Sequence, residues 1–234
     1  MNKKPSVKKI WLPLTLVTAF SLGVCMAEDL MQPLPLPTNN TPVQQAPQAT
    51  PPNVAPLMQQ LTARFPTQSF AKLLIVDAGA QRMYLVEQGQ PVGGWVISTA
   101  ANGTGSEKGS DKTPLGLHKI SEKIGDGAPL GAIFKARQNT GKQVEILTAP
   151  GADSKDDYVT SRIMWLEGLE PGVNKGGDVD SKERYIYIHG TGEEGKLGTP
   201  ASHGCIRMKN ADVINLFNRV DENTLVYITQ NLAN

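Results

Sequence analysis

Leu73-Leu74-Ile75-Val76, then Asp77-Ala78-Gly79, then Met83-Tyr84-Leu85-Val86 is the stretch on which the fold turns. Two short apolar runs flank a Gly-containing turn. A second turn at Gln88-Gly89-Gln90-Pro91 leads into Trp95-Val96-Ile97. Short runs rich in β-branched and aromatic residues, bounded by Gly, Pro and Asp, read as strands, so these three predict an antiparallel meander. Further strands are expected at Leu115–Ile120, at Arg162–Leu166, from Arg184 to Ile188 ending on His189, and at Leu225–Thr229. Ala101–Thr113 is rich in Gly and Ser and reads as a loop, and Gly125–Asp180 is broken repeatedly by Gly, Pro and Asp. Asn210 is placed to cap a helix with apolar positions Val213, Ile214, Leu216, Phe217 and Val220. No internal repeat is present. The expected class is mostly β, with one or two helices.

The N-terminal residues have the pattern of an export signal. Lys3, Lys4, Lys8 and Lys9 precede an apolar run from Ile10 to Val24, and Cys25-Met26-Ala27 offers small residues for cleavage after Ala27, making 1–27 a signal peptide. Two other readings stand beside it: an uncleaved membrane anchor, and lipidation at Cys25, whose preceding Leu22-Gly23-Val24 loosely resembles a lipobox. Residues 28–56 hold eight of the seventeen prolines and no aromatic residue, which predicts an extended linker. Leu57, Met58, Leu61 and Phe65 recur at helical spacing and predict a short helical lead-in over 57–69, ahead of a domain over 70–230. The chain has 234 residues and a formal net charge of +1. With four lysines confined to the first nine residues, the rest is slightly acidic. That argues against a nucleic-acid partner bound through phosphate charge.

Chemistry concentrates in Ile188-His189-Gly190-Thr191 and Gly198-Thr199-Pro200-Ala201-Ser202-His203-Gly204-Cys205-Ile206-Arg207. This region holds two of the three histidines, and Cys205 is the sole cysteine after a cut at Ala27. A lone cysteine in an exported chain makes no internal disulfide; it is either a small buried residue or a thiol kept for reactivity. A free thiol with pKa about 8.5 is mostly protonated at neutral pH and attacks as thiolate. A histidine within reach takes that proton and returns it to a leaving amine. His189 at a strand end and Cys205 in a Gly-rich turn are the candidate base and nucleophile. Gly204, without a Cβ, allows backbone amides to approach a reacting carbonyl oxygen. Zinc is the competing reading, with His189, His203, Cys205 and His118 as ligands, although the compact paired spacing of a structural zinc motif is missing. A match to S-x-x-K at Ser69-Phe70-Ala71-Lys72 runs into a strand and lacks its partner motifs.

The chain resembles the YkuD family of L,D-transpeptidases at these residues: His189, a spacer of twelve residues, then Ser202-His203-Gly204-Cys205, Ile206 and Arg207. Lys112-Thr113-Pro114-Leu115-Gly116 is similar to the family's K-T-P-x-G turn. The resemblance runs over about Phe70 to Thr229. It implies a YkuD-like β-sandwich or barrel-like catalytic domain without cofactor or metal, with Cys205 as acylated nucleophile and His189 as base. It further implies an imidazole oriented by the Gly190 carbonyl and an oxyanion hole from the amides of Gly204 and Cys205. His203, Ser202, Arg207, Arg162 and Tyr187 become candidate substrate contacts, with Arg207 alternatively bracing the loop. The implied donor is a peptidoglycan tetrapeptide stem, cut at its third residue with loss of D-alanine. The acceptor is left open. An amine gives a 3–3 cross-link, water makes a carboxypeptidase, and an outer-membrane lipoprotein is a further acceptor or substrate. The periplasm or cell envelope is the expected location.

Overall fold

In a computed structural model, residues 52–232 are described; the expected signal peptide, Cys25 and most of the expected linker lie outside them. A helix α1 (Ala55–Arg64) comes first. Three strands come next: β1 (Lys72–Asp77), β2 (Arg82–Glu87) and β3 (Gln90–Ser98). Beyond them lie β4 (Gly116–Ile124), β5 (Ala132–Lys135), β6 (Gln138–Gln143) and β7 (Val159–Gly168). The C-terminal part contains β8 (Tyr187–Gly190), β9 (Ile206–Met208), α2 (Asn210–Phe217) and β10 (Leu225–Thr229). The described residues are thus mostly β, with two α-helices.

The strands run in the order β4-β10-β1-β2-β3-β9-β8-β7, and β4 pairs back onto β7 to close a barrel. Closure removes the unpaired edges that an open sheet would leave. The β5–β6 hairpin extends from β7 outside this ring. One long strand serves both: residues 163–168 of β7 pair with β4, and Thr160 and Val159 pair with β5. The change of partner coincides with a register irregularity between Thr160 and Ile163 and with Ser161 at φ +61°. A bulge of this kind bends a strand and re-aims its later residues.

Alternation along the strands sorts the side chains. Leu74, Val76, Met83, Leu85, Ile120, Met164, Leu166, Ile188, Ile206, Met208, Val226 and Ile228 fill the interior, joined by Val213, Leu216 and Phe217 of α2. Leu73 and Ile75 of β1 face outward, yet are fully buried, because α1 covers them with Leu61. This explains why β1 reads as a continuous apolar run rather than an alternating one. Pro56 sits in the first turn of α1, where a missing N–H costs nothing. Replacing the enclosed Leu61 by Ala would cost about 2–5 kcal/mol.

Two local expectations are corrected. The eighth strand begins at Tyr187 rather than at Arg184, because residues 181–185 form a turn with Tyr185 at φ +57°. Asn210 does not cap α2. It is the first helical residue, and its fully buried amide instead ties three elements together. Its Oδ1 accepts from Thr160 Oγ1 (2.7 Å) and Ser161 Oγ (2.6 Å), and its Nδ2 donates to Thr191 O (2.6 Å). The carboxylate of Glu194 takes the role of cap, accepting the Asn210 N–H at 2.8 Å.

Candidate active site

The adjacent strands β8 and β9 run parallel, with Ile188 opposite Ile206 and His189 opposite Arg207. Since Ile188 and Ile206 point into the barrel, Tyr187, His189, Cys205 and Arg207 share the outer face. The neighbouring β7 puts Ile163 opposite His189 and Trp165 opposite Tyr187 on that face. Cys205 packs there with Tyr187, Ile163 and Phe134. The topology therefore places the candidate base on β8 and the candidate thiol in the turn immediately before β9, diagonal to one another.

His189 is 3% exposed, and its Nδ1 lies 2.7 Å from Gly190 O. A carbonyl only accepts, so Nδ1 carries the hydrogen and Nε2 keeps its lone pair. Nε2 has no hydrogen bond among the described residues. Among the described residues, the fully enclosed side-chain nitrogens without a partner are Arg162 Nε and Arg207 Nε. Burial holds the His189 imidazolium down at about 4, against the opposing pull of the Gly190 carbonyl and the Asp157 carboxylate. Gly190 is required on packing grounds, since a Cβ there would come within 2.6 Å of Asn210 Oδ1 and 2.9 Å of Thr160 O.

Cys205 is a free, partly buried cysteine. Its Sγ accepts the Tyr187 N–H at 3.4 Å and faces Tyr185 O at 3.4 Å. No hydrogen bond joins Sγ to His189 among the described residues, an arrangement common before substrate tightens a site. Burial pushes the thiol up to about 11; the Tyr187 N–H opposes this, as do the positive charges of Arg207 and Arg184. Both residues therefore rest uncharged at neutral pH.

Gly204 has φ +128°, a conformation that favours glycine, and a Cβ there would lie 3.2 Å from Ile186 Cδ1. Its amide is not free for an oxyanion: it donates to Ser202 Oγ at 3.2 Å. Ser202 is itself 2% exposed and donates to Cys205 O at 2.6 Å. This serine staples the turn and is not positioned as a substrate contact.

Arg207 likewise braces rather than binds. Its side chain is 2% exposed, pairs with Glu193 Oε2 at 2.9 Å, and bonds Asp157 Oδ2. His203 lies outside this buried cluster, its side chain 73% exposed and its Nδ1 3.1 Å from the same Asp157 oxygen. Burial would raise the Glu193 carboxyl, but hydrogen bonds from Ser154 and Lys196 hold it down at about 2. Asp157 and Glu193 escaped the sequence reading; the available signal was an arginine between Ile206 and Met208, which needs an acidic partner once buried.

Arg162 is a correction of another kind. It shares its side of β7 with Met164 and Leu166, away from the Cys205 face. Its NH1 donates to Ala128 O and Ser161 O, both at 2.7 Å, and its guanidinium lies 5.4 Å from the Phe217 ring. Tyr187 stays on the site face, although the residue is only 8% exposed. Around it stand Trp165, edge-on at 5.7 Å, and Tyr185, stacked on Trp165 at 5.8 Å. Arg137, from the tight turn between β5 and β6, lies 4.5 Å over Trp165 and donates to Tyr187 Oη at 3.4 Å. This shelf beside Cys205 includes Arg137 and Tyr185, which sequence reasoning also missed.

His118 belongs elsewhere. It is fully buried on β4, with Nδ1 3.0 Å from Gly116 O and Nε2 3.0 Å from Ser181 Oγ. Among the described residues no three His, Cys, Asp or Glu side chains gather as a metal site. An open depression of about 650 Å³ lies near Phe217, Lys123 and Asp126, and contains neither the thiol nor His189.

Several known proteins are similar. Residues 71–228 match the family model YkuD, described as the L,D-transpeptidase catalytic domain. YqjB of Bacillus subtilis (strain 168), whose name carries L,D-transpeptidase as a provisional assignment, is 44% identical over 55 residues, covering 23% of this chain and 31% of YqjB. Among solved structures, an L,D-transpeptidase from Xylanimonas cellulosilytica DSM 15894 is 19% identical, with 75% of this chain and 71% of that one covered, at a TM-score of 0.42. L,D-transpeptidase 3 from Mycobacterium tuberculosis, in complex with a faropenem-derived adduct, is 15% identical, with 68% and 60% covered, at 0.43. With the family model spanning most of the barrel and the whole His189–Cys205 region, the chain belongs to the YkuD family of L,D-transpeptidase catalytic domains.

Proposed function

We propose that this protein is an exported peptidoglycan L,D-transpeptidase, working in the periplasm or cell envelope, with Cys205 as nucleophile and His189 as general base. The observation that carries the reading is that an imidazole with Nε2 unpartnered among the described residues and a free cysteine lie on one outer face, on β8 and just before β9. The basic, apolar N-terminal pattern supports export.

The chemistry derives from the resting charges. With the thiol at about 11 and the imidazolium at about 4, a standing thiolate–imidazolium pair is disfavoured. The proton moves from Sγ to Nε2 only as sulfur bonds to the donor carbonyl between the third stem residue and D-alanine. The carbonyl electrons pass to oxygen, where the Cys205 N–H, which makes no hydrogen bond among the described residues, is the donor. The C–N bond then breaks, His189 returns its proton to the departing amine, and the acyl group remains as a thioester on Cys205. An amine of a neighbouring stem attacks this thioester and restores the thiol. The aromatic shelf of Trp165 and Tyr185 beside the sulfur supports a bound peptide, and His203 is exposed at the rim.

The test is incubation of wild type and Cys205→Ala with purified disaccharide tetrapeptide, then mass analysis of muropeptides. Wild type yields 3–3 dimers and a transient adduct on the enzyme, and Cys205→Ala yields neither while melting as the wild type does. Turnover by the variant would overturn the mechanism, and tripeptide as sole product would assign water as acceptor.

A further inference from the structure

The Lys112-Thr113-Pro114-Leu115-Gly116 segment has no part in the acyl-transfer steps of Cys205 and His189, yet its threonine grips the turn that carries Cys205. Thr113 is fully buried. Its Oγ1 accepts the Ala100 N–H at 3.0 Å and donates to Gly204 O at 2.9 Å. These roles are fixed, because an amide only donates and a carbonyl only accepts. The mount is stiff on every side. The Thr113 N–H donates to Gly103 O at 3.0 Å, and Arg184 NH2 donates to Lys112 O at 2.6 Å. Pro114 confines the backbone of the residue before it to extended conformations.

Gly204 and Cys205 together offer four polar backbone groups, and three are tied. Ser202 takes the Gly204 N–H and the Cys205 carbonyl, and Thr113 takes the Gly204 carbonyl. The fourth, the Cys205 N–H, makes no hydrogen bond among the described residues. The Gly204 C=O and the Cys205 N–H belong to one planar trans peptide and point in opposite directions. Holding the oxygen therefore aims the N–H. A hydrogen bond to that carbonyl also polarises the amide and strengthens it as a donor.

We infer that Thr113 is a positioning residue for acyl transfer, one that acts through the Gly204 carbonyl to aim the Cys205 N–H at the oxyanion formed when Sγ attacks; this rests on the proposed transpeptidase function. Two properties of the thiol are thereby separated: attack on a carbonyl needs the aimed amide, whereas displacement on an alkyl halide creates no oxyanion and does not.

The experiment compares full-length wild type, Thr113→Val and Thr113→Ser in three measurements: Cys205 acylation by tetrapeptide, monitored by intact mass; Cys205 alkylation by iodoacetamide; and thermal melting. Loss of one directly contacting oxyanion donor costs about 10²–10³ in rate, so misaiming it in Thr113→Val is expected to slow acylation about 10–100-fold. Alkylation should stay within about twofold, since the thiol and its base are untouched. Thr113→Ser keeps the hydroxyl and should acylate near the wild-type rate. Equal acylation by wild type and Thr113→Val, or equal slowing of acylation and alkylation in folded protein, overturns the inference. If Thr113→Val melts below the assay temperature, Thr113→Ala, assayed below its own melting point, is judged by the same ratio of the two rates. A wild type inert to tetrapeptide overturns the proposed function and this inference together. A reactive wild type with an equally reactive Thr113→Val overturns this inference alone.

Discussion

Two buried histidines of this barrel share almost every local property and differ in one. His118 is fully enclosed and His189 nearly so, each gives its Nδ1 hydrogen to a nearby carbonyl, and burial holds each imidazolium down at about 4. His118 sits on the inner face of β4, opposite Val226, and its Nε2 accepts from Ser181. His189 sits on the outer face of β8, and its Nε2 accepts nothing among the described residues. A saturated imidazole is a structural crosspiece, whereas one with an unpartnered nitrogen on the face that carries Cys205 suits the base of the proposed function. Burial and a lowered pKa alone would have nominated both.

The sharpest way to break this comparison is to remove each ring in turn and track Cys205 acylation by intact mass. His189→Gln should lose about 10²–10⁴ in rate, the usual worth of a positioned general base, with its melting temperature nearly unchanged. His118→Leu should keep its acylation rate. If it lost acylation to a similar extent in folded protein, the distinction would collapse.

Stability should respond in the opposite sense. His118→Leu orphans Gly116 O and Ser181 Oγ in the interior, at about 1–3 kcal/mol per group, readable by urea unfolding. Acid sharpens the contrast. Both histidines bind a proton less readily folded than unfolded, where the ordinary value is 6.5. The stability of the neutral rings is thus present in full above pH 6.5 and is lost as pH falls toward about 4. His118→Leu has one such group fewer, so its unfolding free energy should fall less steeply over that window. A slope equal to that of the wild type would contradict the burial of a neutral His118.

The smallest effect should come from Ser181→Ala. It frees the His118 Nε2 without moving the ring, and should cost about 1 kcal/mol with no change in acylation. If acylation changed, then His118 would be coupled to the site after all.

The neighbourhood of His189 shows how far the residues alone could lead. The paired occurrence of His189 and Ser202-His203-Gly204-Cys205 named a candidate thiol and base, because those residue types carry their chemistry wherever they sit. The meander at Leu73–Ile97 was legible because apolar runs and turns are local. The β5–β6 hairpin was not: β6 is exposed along its whole length and has no buried face to print a pattern. The short β9 was hidden by the Gly-containing turn before it. The family resemblance makes Ser202 a candidate substrate contact and leaves Arg207 between substrate contact and loop brace, because polarity in a motif does not say which way a side chain points.

By itself, then, the sequence determined a mostly β domain and a candidate thiol and imidazole, since periodicity and chemical identity are properties of the residues. Only the tertiary structure decided which of the two buried histidines keeps a nitrogen unpartnered among the described residues, and that Arg207 is bound to Glu193 and Asp157 rather than offered to substrate. It also decided that Thr113, 91 positions before Gly204 in the chain, holds that residue's carbonyl. Those outcomes depend on contacts made when β4 closes onto β7 and β8 aligns with β9, and no local pattern encodes such distant partners.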